Sequence, residues 1–187
     1  NDTFDTWGLD VDDPRRNTVK VQNPLDADYG ILGTTLLPPM LEAAGRNVAR
    51  GRGDVAIYAV AQTSEKRADV SPLPDVSQRP AGEVVAELVE SLPKQHLHTA
   101  TVALGNTELE GPWGTGRAYE WSDAIEAAQL VARVCGVELD VEAAEYLPWH
   151  PGRCAALKVD GEVVGHAGEL HPQILEKLNL PARTCAM

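Results

Sequence analysis

Two β-prone runs, Ala155-Ala156-Leu157-Lys158-Val159 and Glu162-Val163-Val164-Gly165-His166, are separated only by Asp160-Gly161. Asp-Gly readily adopts the positive φ angles of a type I′ turn, whose twist matches that of the two strands it joins. The segment predicts an antiparallel hairpin, and any fold for this chain must contain it.

The other elements are arranged around this hairpin. Thr18–Gln22 alternates and is β-branched, and Asn23-Pro24 stops it. Residues 26–35 read as a polar, glycine-containing loop. Pro38 and Pro39 suit a first helical turn, Met40, Leu41, Ala44 and Val48 follow at helical spacing, and Gly51 and Gly53 end the run. Asp54–Gln62 is nearly all apolar, which predicts a strand buried on both faces. Ser71 to Pro80 is a proline-punctuated loop. Val84, Val85, Leu88 and Leu92 form a helix face that Pro93 closes, and His98–Leu104 reads as a strand. A Gly-rich connection, 105–116, carries Trp113. A helix then opens at Trp121 or Ser122 and runs to Cys135, with Gly136 at its C-terminal cap. Tyr146–Arg153 reads as a rigid turn, and a short helix follows from Pro172 to about Leu178. The class is α+β, a mainly antiparallel sheet flanked by helices. Residues 1–17 show no period and read as a lead-in, with a single domain over 18–187.

Composition narrows the function. Sixteen Lys and Arg against 28 Asp and Glu leave a net charge of −12. That argues against a duplex-binding module or a coat for anionic membranes, since both need a basic face. No apolar run approaches a membrane span, and no signal peptide is visible. Cys135, Cys154 and Cys185 are odd in number and form no Cys-x-x-Cys pair, which fits reduced thiols in a cytoplasmic setting; one disulfide plus a free thiol is the alternative. The chain starts at Asn1 and reads as a piece of a longer polypeptide.

No constellation stands out as an active site. Gly114-Thr115-Gly116-Arg117 is too short for a dinucleotide fingerprint, and Gly-x-x-x-x-Gly-Lys is absent. No Gly-x-Ser-x-Gly elbow surrounds any of the five serines, and Ser122 suits a helix N-cap. Pro151-Gly152 prevents His150 and Cys154 from sharing a helical face. His166, Glu169 and His171 are close enough in sequence to gather on a metal ion, but a strand end leading into a helix cap explains them as well. His96 and His98 share a face if their segment is extended. The reading assigns no catalytic residue and no metal ligand.

Several stretches resemble one family. Val19-Lys20-Val21-Gln22-Asn23-Pro24-Leu25 is followed by Thr34-Thr35-Leu36-Leu37-Pro38, and Asn47 with Arg50-Gly51 precedes the central strand. His150-Pro151-Gly152-Arg153, a strand, then Val164-Gly165-His166-Ala167-Gly168-Glu169-Leu170-His171-Pro172 are the most specific, and Leu180-Pro181-Ala182-Arg183-Thr184 continues the pattern. Together they resemble the β subunit of bacterial phenylalanine–tRNA ligase, in its module related to the class II synthetase core. Three departures stand out: Gly33 replaces an Arg, Tyr58-Ala59-Val60-Ala61 lacks the usual Glu, and Trp121–Ala127 replaces an Asp-Phe-Phe-Asp-x-Lys-Gly run.

The resemblance implies a class II core-like fold, an α2β2 assembly with an α subunit that carries the catalytic core, and ATP- and Mg²⁺-dependent attachment of phenylalanine to tRNA by the whole enzyme. It implies a non-catalytic module that binds no cofactor itself; the net charge of −12 predicts weak or no tRNA binding by this module alone. The editing, metal-containing and anticodon-binding-like modules of a longer β chain would lie elsewhere. The motif positions Asn23, Pro24, His150, Pro151, Gly152, Arg153, Gly165, Gly168, Glu169, His171 and Pro172 are then structural or face the α subunit. The alternative is a free-standing class II-like adenylate-forming ligase. It would need fixed positive charge on the α-phosphate, and Arg117 and Arg153 are the candidates beside Gly-rich turns in the second half of the chain. A carbohydrate or metal hydrolase, resting on the His/Glu cluster alone, ranks last.

Overall fold

The computed structural model describes residues 2–67 and 77–187, so most of the proline-punctuated loop expected at Ser71–Pro80 lies outside the described residues. The elements are α1 (Asp2–Trp7), β1 (Val19–Lys20), β2 (Ile31–Leu32), α2 (Leu37–Ala49), β3 (Val55–Glu65), α3 (Gly82–Ser91), β4 (Lys94–Leu104), β5 (Asn106–Glu108), β6 (Arg117–Ala118), α4 (Trp121–Cys135), β7 (Asp140–Ala143), β8 (Trp149–Val159), β9 (Glu162–Leu170), α5 (Pro172–Lys177) and β10 (Cys185–Ala186). Six strands form one sheet in the order β3-β4-β10-β9-β8-β7, and the pairs β4–β10, β10–β9, β9–β8 and β8–β7 are antiparallel. This is the α+β class expected. The Asp160-Gly161 turn forms with φ of 51° and 82° at its two residues, as a type I′ hairpin requires.

Contacts divide the chain into two units, Asn1–Val11 with Leu36–Val60 and Thr99–Met187, and Asp12–Thr35 with Ala61–His98. In the first unit the sheet has helices on both faces. Ala100, Val102 and Leu104 alternate along β4 toward a core shared with Phe4 and Trp7 of α1, Leu37, Met40, Leu41 and Ala44 of α2, and Ile174 and Leu175 of α5. On the opposite face Ala124 and Ala128 of α4 pack on Leu157, Ala167 and Cys185. Small alanines let α4 sit close to the strands. Gly136 closes α4 with φ 72°.

In the second unit, β1 pairs with β2 through Val19↔Leu32 and Lys20↔Ile31, and the loop between them is closed by Val21 N–H donating to the Gly30 carbonyl at 2.9 Å. Asp13 caps a short 3-10 turn and holds the Arg15 guanidinium, which keeps the Asp13 carboxyl below its ordinary pKa. Ser64 N–H donates to the Gly33 carbonyl at 2.8 Å, and α3 has no fully buried residue.

Four expectations change. The opening segment is helical over Asp2–Trp7 and buries Phe4, Trp7 and Leu9; six residues are too few for a helical period to be legible. β3 is not buried on both faces. It is an edge strand whose Ile57 and Ala59 pack on the core while Tyr58 and Val60 stay exposed, because α4 covers β8, β9 and β10 instead. The His150–Arg153 stretch lies within β8, not in a turn ahead of it. β9 likewise runs past His166, where the return run was expected to end, through Gly168 to Leu170.

Candidate functional site

The two most specific motifs face each other across β8 and β9. Trp149 pairs with Leu170 and Cys154 with Gly168, so the four residues 150–153 stand opposite Glu169 alone. This is an enlarged β-bulge, and it throws the Arg153 side chain across the ladder. Arg153 Nη1 donates to Glu169 Oε1 at 2.5 Å, with the Glu169 side chain 7% exposed and that of Arg153 42% exposed. The bulge brings the β8 backbone down onto Gly168: a Cβ there would lie 2.0 Å from the Arg153 carbonyl oxygen, with φ already at 151°. No residue but glycine fits. Gly165 is different, since its added Cβ would make ordinary contact with Leu157 at 3.6 Å.

The pleat separates His166 from Glu169, and His171 is engaged in a hydrogen bond of its own. His166 stacks on Tyr146, with ring centroids 3.9 Å apart and planes 6° from parallel, and Trp149 lies 5.7 Å away. Glu169 is an odd number of residues on and faces the other side of the sheet, paired in register with Cys185. His171 is the N-cap of α5; its Nδ1 accepts from Gln173 N–H at 3.3 Å. His150 stacks on His171 at 6.1 Å, and its own Nδ1 accepts from Gly152 N–H at 3.0 Å. In both rings Nδ1 is occupied by a backbone N–H of the same chain. Among the described residues no group of three or more His, Cys, Asp and Glu side chains could hold a metal. Of the strand end and helix cap expected here, His171 is the cap, and the Glu169 carboxylate faces Arg153 instead.

Pro172 occupies the first turn of α5, where a missing N–H leaves nothing unpaired. His171 N–H donates to the Pro148 carbonyl at 2.8 Å, tying the start of α5 to the segment before β8. Asn23 and Pro24 lie in the second unit, exposed in the turn after β1, and Pro24 closes against Gly30.

Arg117 and Arg153, the arginines beside Gly-rich turns in the second half of the chain, both sit on carboxylates of their own chain. Arg117 makes a bidentate pair with Asp123 at 2.9 and 2.7 Å. Asp123 also accepts from Glu120 N–H at 2.7 Å as part of the capping box that opens α4, so Glu120, not Ser122, is the N-cap. Hydrogen bonding from Arg117 holds the Asp123 carboxyl below its ordinary value. Cys185 lies in the same region, and its thiol is pushed up to about 12, by burial first and then by Glu169, Asp123 and Glu120. Burial likewise raises Cys154 to about 11. Cys135, Cys154 and Cys185 are all free thiols. Buried thiols of this kind are inert. The arrangement is a set of ion-pair and hydrogen-bond clamps within the chain. One member had no local signal: Asp54 Oδ1 accepts from Asn106 N–H and Nδ2 at 2.6 and 3.0 Å across 52 residues of sequence.

The family model for the phenylalanyl tRNA synthetase beta chain CLM domain matches residues 1–187. The chain belongs to this family. It is 65% identical to the phenylalanine–tRNA ligase beta subunit of Corynebacterium efficiens, covering 100% of this chain and 22% of that protein. The beta subunit of Corynebacterium diphtheriae is 64% identical with the same coverage. That of Streptomyces avermitilis is 48% identical over 98% of this chain and 23% of its own length. The chain thus spans about a fifth of the length of the curated relatives it matches. The beta-chain module expected from the His-Pro-Gly-Arg and Gly-Glu-Leu-His-Pro runs is the one these relatives carry, and in this module those runs are the two sides of one bulged strand pair. No helix among the described residues is long and apolar enough to cross a membrane.

Proposed function

We propose that this module is the non-catalytic, class II core-like part of a phenylalanine–tRNA ligase β subunit. It packs on the α subunit of an α2β2 enzyme and supports the attachment of phenylalanine to tRNA, in the cytoplasm, with ATP and Mg²⁺ handled by α. The observation that carries the reading is the state of Arg117 and Arg153. Each is paired with a carboxylate of its own chain, Asp123 and Glu169, so neither presents uncompensated positive charge to a polyphosphate. Adenylate formation needs that charge fixed where the transition state develops it. Neither of the two arginines beside Gly-rich turns in the second half of the chain is therefore free to serve the alternative, a free-standing ligase. The motif residues from His150 to Arg153 and from Gly165 to Pro172 act as architecture: bulge, close strand contact, ion pair and helix cap. A net charge of −12 repels tRNA at physiological salt, which supports weak or no binding by the module alone.

Co-expression of the full β subunit with the matching α subunit tests the assembly. The expected result is a co-purifying complex that exchanges pyrophosphate with ATP in a phenylalanine-dependent way. The 187-residue chain by itself is expected to show no exchange. Turnover by the isolated chain would overturn the scaffold reading.

A further inference from the structure

The connection between β4 and α4 is a hairpin that holds one large apolar side chain fully in solvent. β5 and β6 pair through Asn106↔Ala118 and Glu108↔Arg117. At the tip, Gly111 N–H donates to the Gly114 carbonyl at 3.0 Å and Gly114 N–H to the Gly111 carbonyl at 3.2 Å. The two residues between them are Pro112 and Trp113. Pro112 locks its own φ, so the tip has little freedom left. Trp113 is 99% exposed, and Leu109 on the same hairpin is 71% exposed.

The hairpin is fixed at its base from two sides. Asp54 holds Asn106, and the bidentate Arg117–Asp123 pair ties β6 to the first turn of α4. Gly116 has φ 74°, and a Cβ there would stand 2.7 Å from the Glu108 carbonyl oxygen, so the two arms touch as only glycine allows. A single exposed apolar residue is ordinary on a protein surface. A tryptophan on a braced tip is not, because the ordering that association normally requires of a loop is already in place. Tryptophan is also the side chain most enriched among residues that dominate interfaces.

The surrounding charge selects the partner. Glu108, Glu110 and Arg117 are the only charged residues of the hairpin, and Arg117 is held by Asp123. Glu108 stands opposite Arg117 in register, so with Glu110 and Asp123 the carboxylates of this region outnumber its one cation, and the net negative charge repels a nucleic-acid backbone and complements a basic protein surface. We propose that the β5–β6 hairpin is a docking element whose Trp113 seats in an apolar pocket rimmed by Lys or Arg on the α subunit. This rests on the assembly reading above and adds to it the residue that anchors the contact.

The test uses the full β subunit and the α subunit of the same ligase, with assembly followed by sedimentation over a concentration series. Trp113→Ala is expected to weaken assembly about 30-fold, equivalent to about 2 kcal/mol, while Trp113→Phe retains most of the affinity. Glu108→Gln with Glu110→Gln is expected to slow association several-fold at low salt and to have little effect at high salt. The Trp113→Ala chain should melt as the wild type does, because the side chain packs on nothing. Assembly unchanged by Trp113→Ala would overturn the inference. So would a variant that assembles normally but loses tRNA affinity in the complex, which would mean that Trp113 stacks on a base. Failure of wild-type β and α to associate at all would instead refute the assembly reading.

Discussion

Removing Arg153 should damage this fold more than neutralising its partner does. The Arg153 Nη1 to Glu169 Oε1 bond is 2.5 Å, and the two side chains differ in exposure, 42% for the arginine and 7% for the glutamate. A hydrogen bond to a charged group contributes about 1.5–3 kcal/mol. The half-exposed guanidinium is screened, which lowers that figure. Arg153→Ala, however, leaves a carboxylate buried without its cation, and stranding a fully buried charge costs about 3–5 kcal/mol. With one partner partly in water we expect about 2 kcal/mol. Glu169→Gln strands no charge and keeps an oxygen that can accept from Arg153, so it should cost about 1 kcal/mol. For a chain of this size each kcal/mol lowers the melting temperature by about 2–4 °C. Thermal unfolding followed by circular dichroism should show a drop of about 4–8 °C for Arg153→Ala and half that for Glu169→Gln. The double variant should lose less than the sum of the two, because with Glu169 neutral no charge remains to be stranded. Equal losses in the two single variants, or strict additivity in the double, would refute the argument.

Three further outcomes follow from the geometry. Gly168→Ala should prevent the bulged register from forming, a loss above ~3 kcal/mol, whereas Gly165→Ala should stay within ~1 kcal/mol; denaturant titration of the two variants separates a backbone clash from an ordinary contact. Asp123→Ala should remove about 1 kcal/mol near neutral pH through the lost cap. Because Arg117 depresses the folded-state pKa of Asp123, this contribution is complete above the ordinary carboxyl value of 3.8 and disappears as pH falls below it through the folded value. Melting curves of wild type and variant should therefore converge on acidification, and a gap that persists or widens would contradict the assignment. In a thiol-labelling assay at pH 8 only exposed Cys135 should react in the native chain, with Cys154 and Cys185 joining in denaturant, since burial pushes the latter two to about 11 and about 12.

What was legible in advance was local. Asp160-Gly161 specifies its own hairpin, Gly136 ends α4, and Pro38 and Pro172 mark first helical turns, because each depends on the φ preference or missing N–H of the residue itself. The motif runs were legible as a family likeness, but their job was not. Where β8 begins depends on whether residues 150–153 find a partner strand, and that partner lies beyond the hairpin turn. Gly168 is a contact point that no local signal marks, because only the assembled pair brings the Arg153 carbonyl against it. For Glu169 the sequence allowed a metal cluster with His166 and His171 or a place at the strand end before the helix cap. The two-residue pleat sent it to the side opposite His166, where the bulge had placed Arg153. β3 looked like a fully buried strand from its apolar run, yet only the placement of α4 over β8, β9 and β10 decided that Tyr58 stays in solvent. Asp54 and Asn106 carry no mark in the sequence at all, since their hydrogen bonds exist only once β3 and the end of β4 lie together. Local preferences act through a residue's own backbone and can be read one residue at a time. Register, face and partner are properties of pairs of segments, and the fold alone decides them.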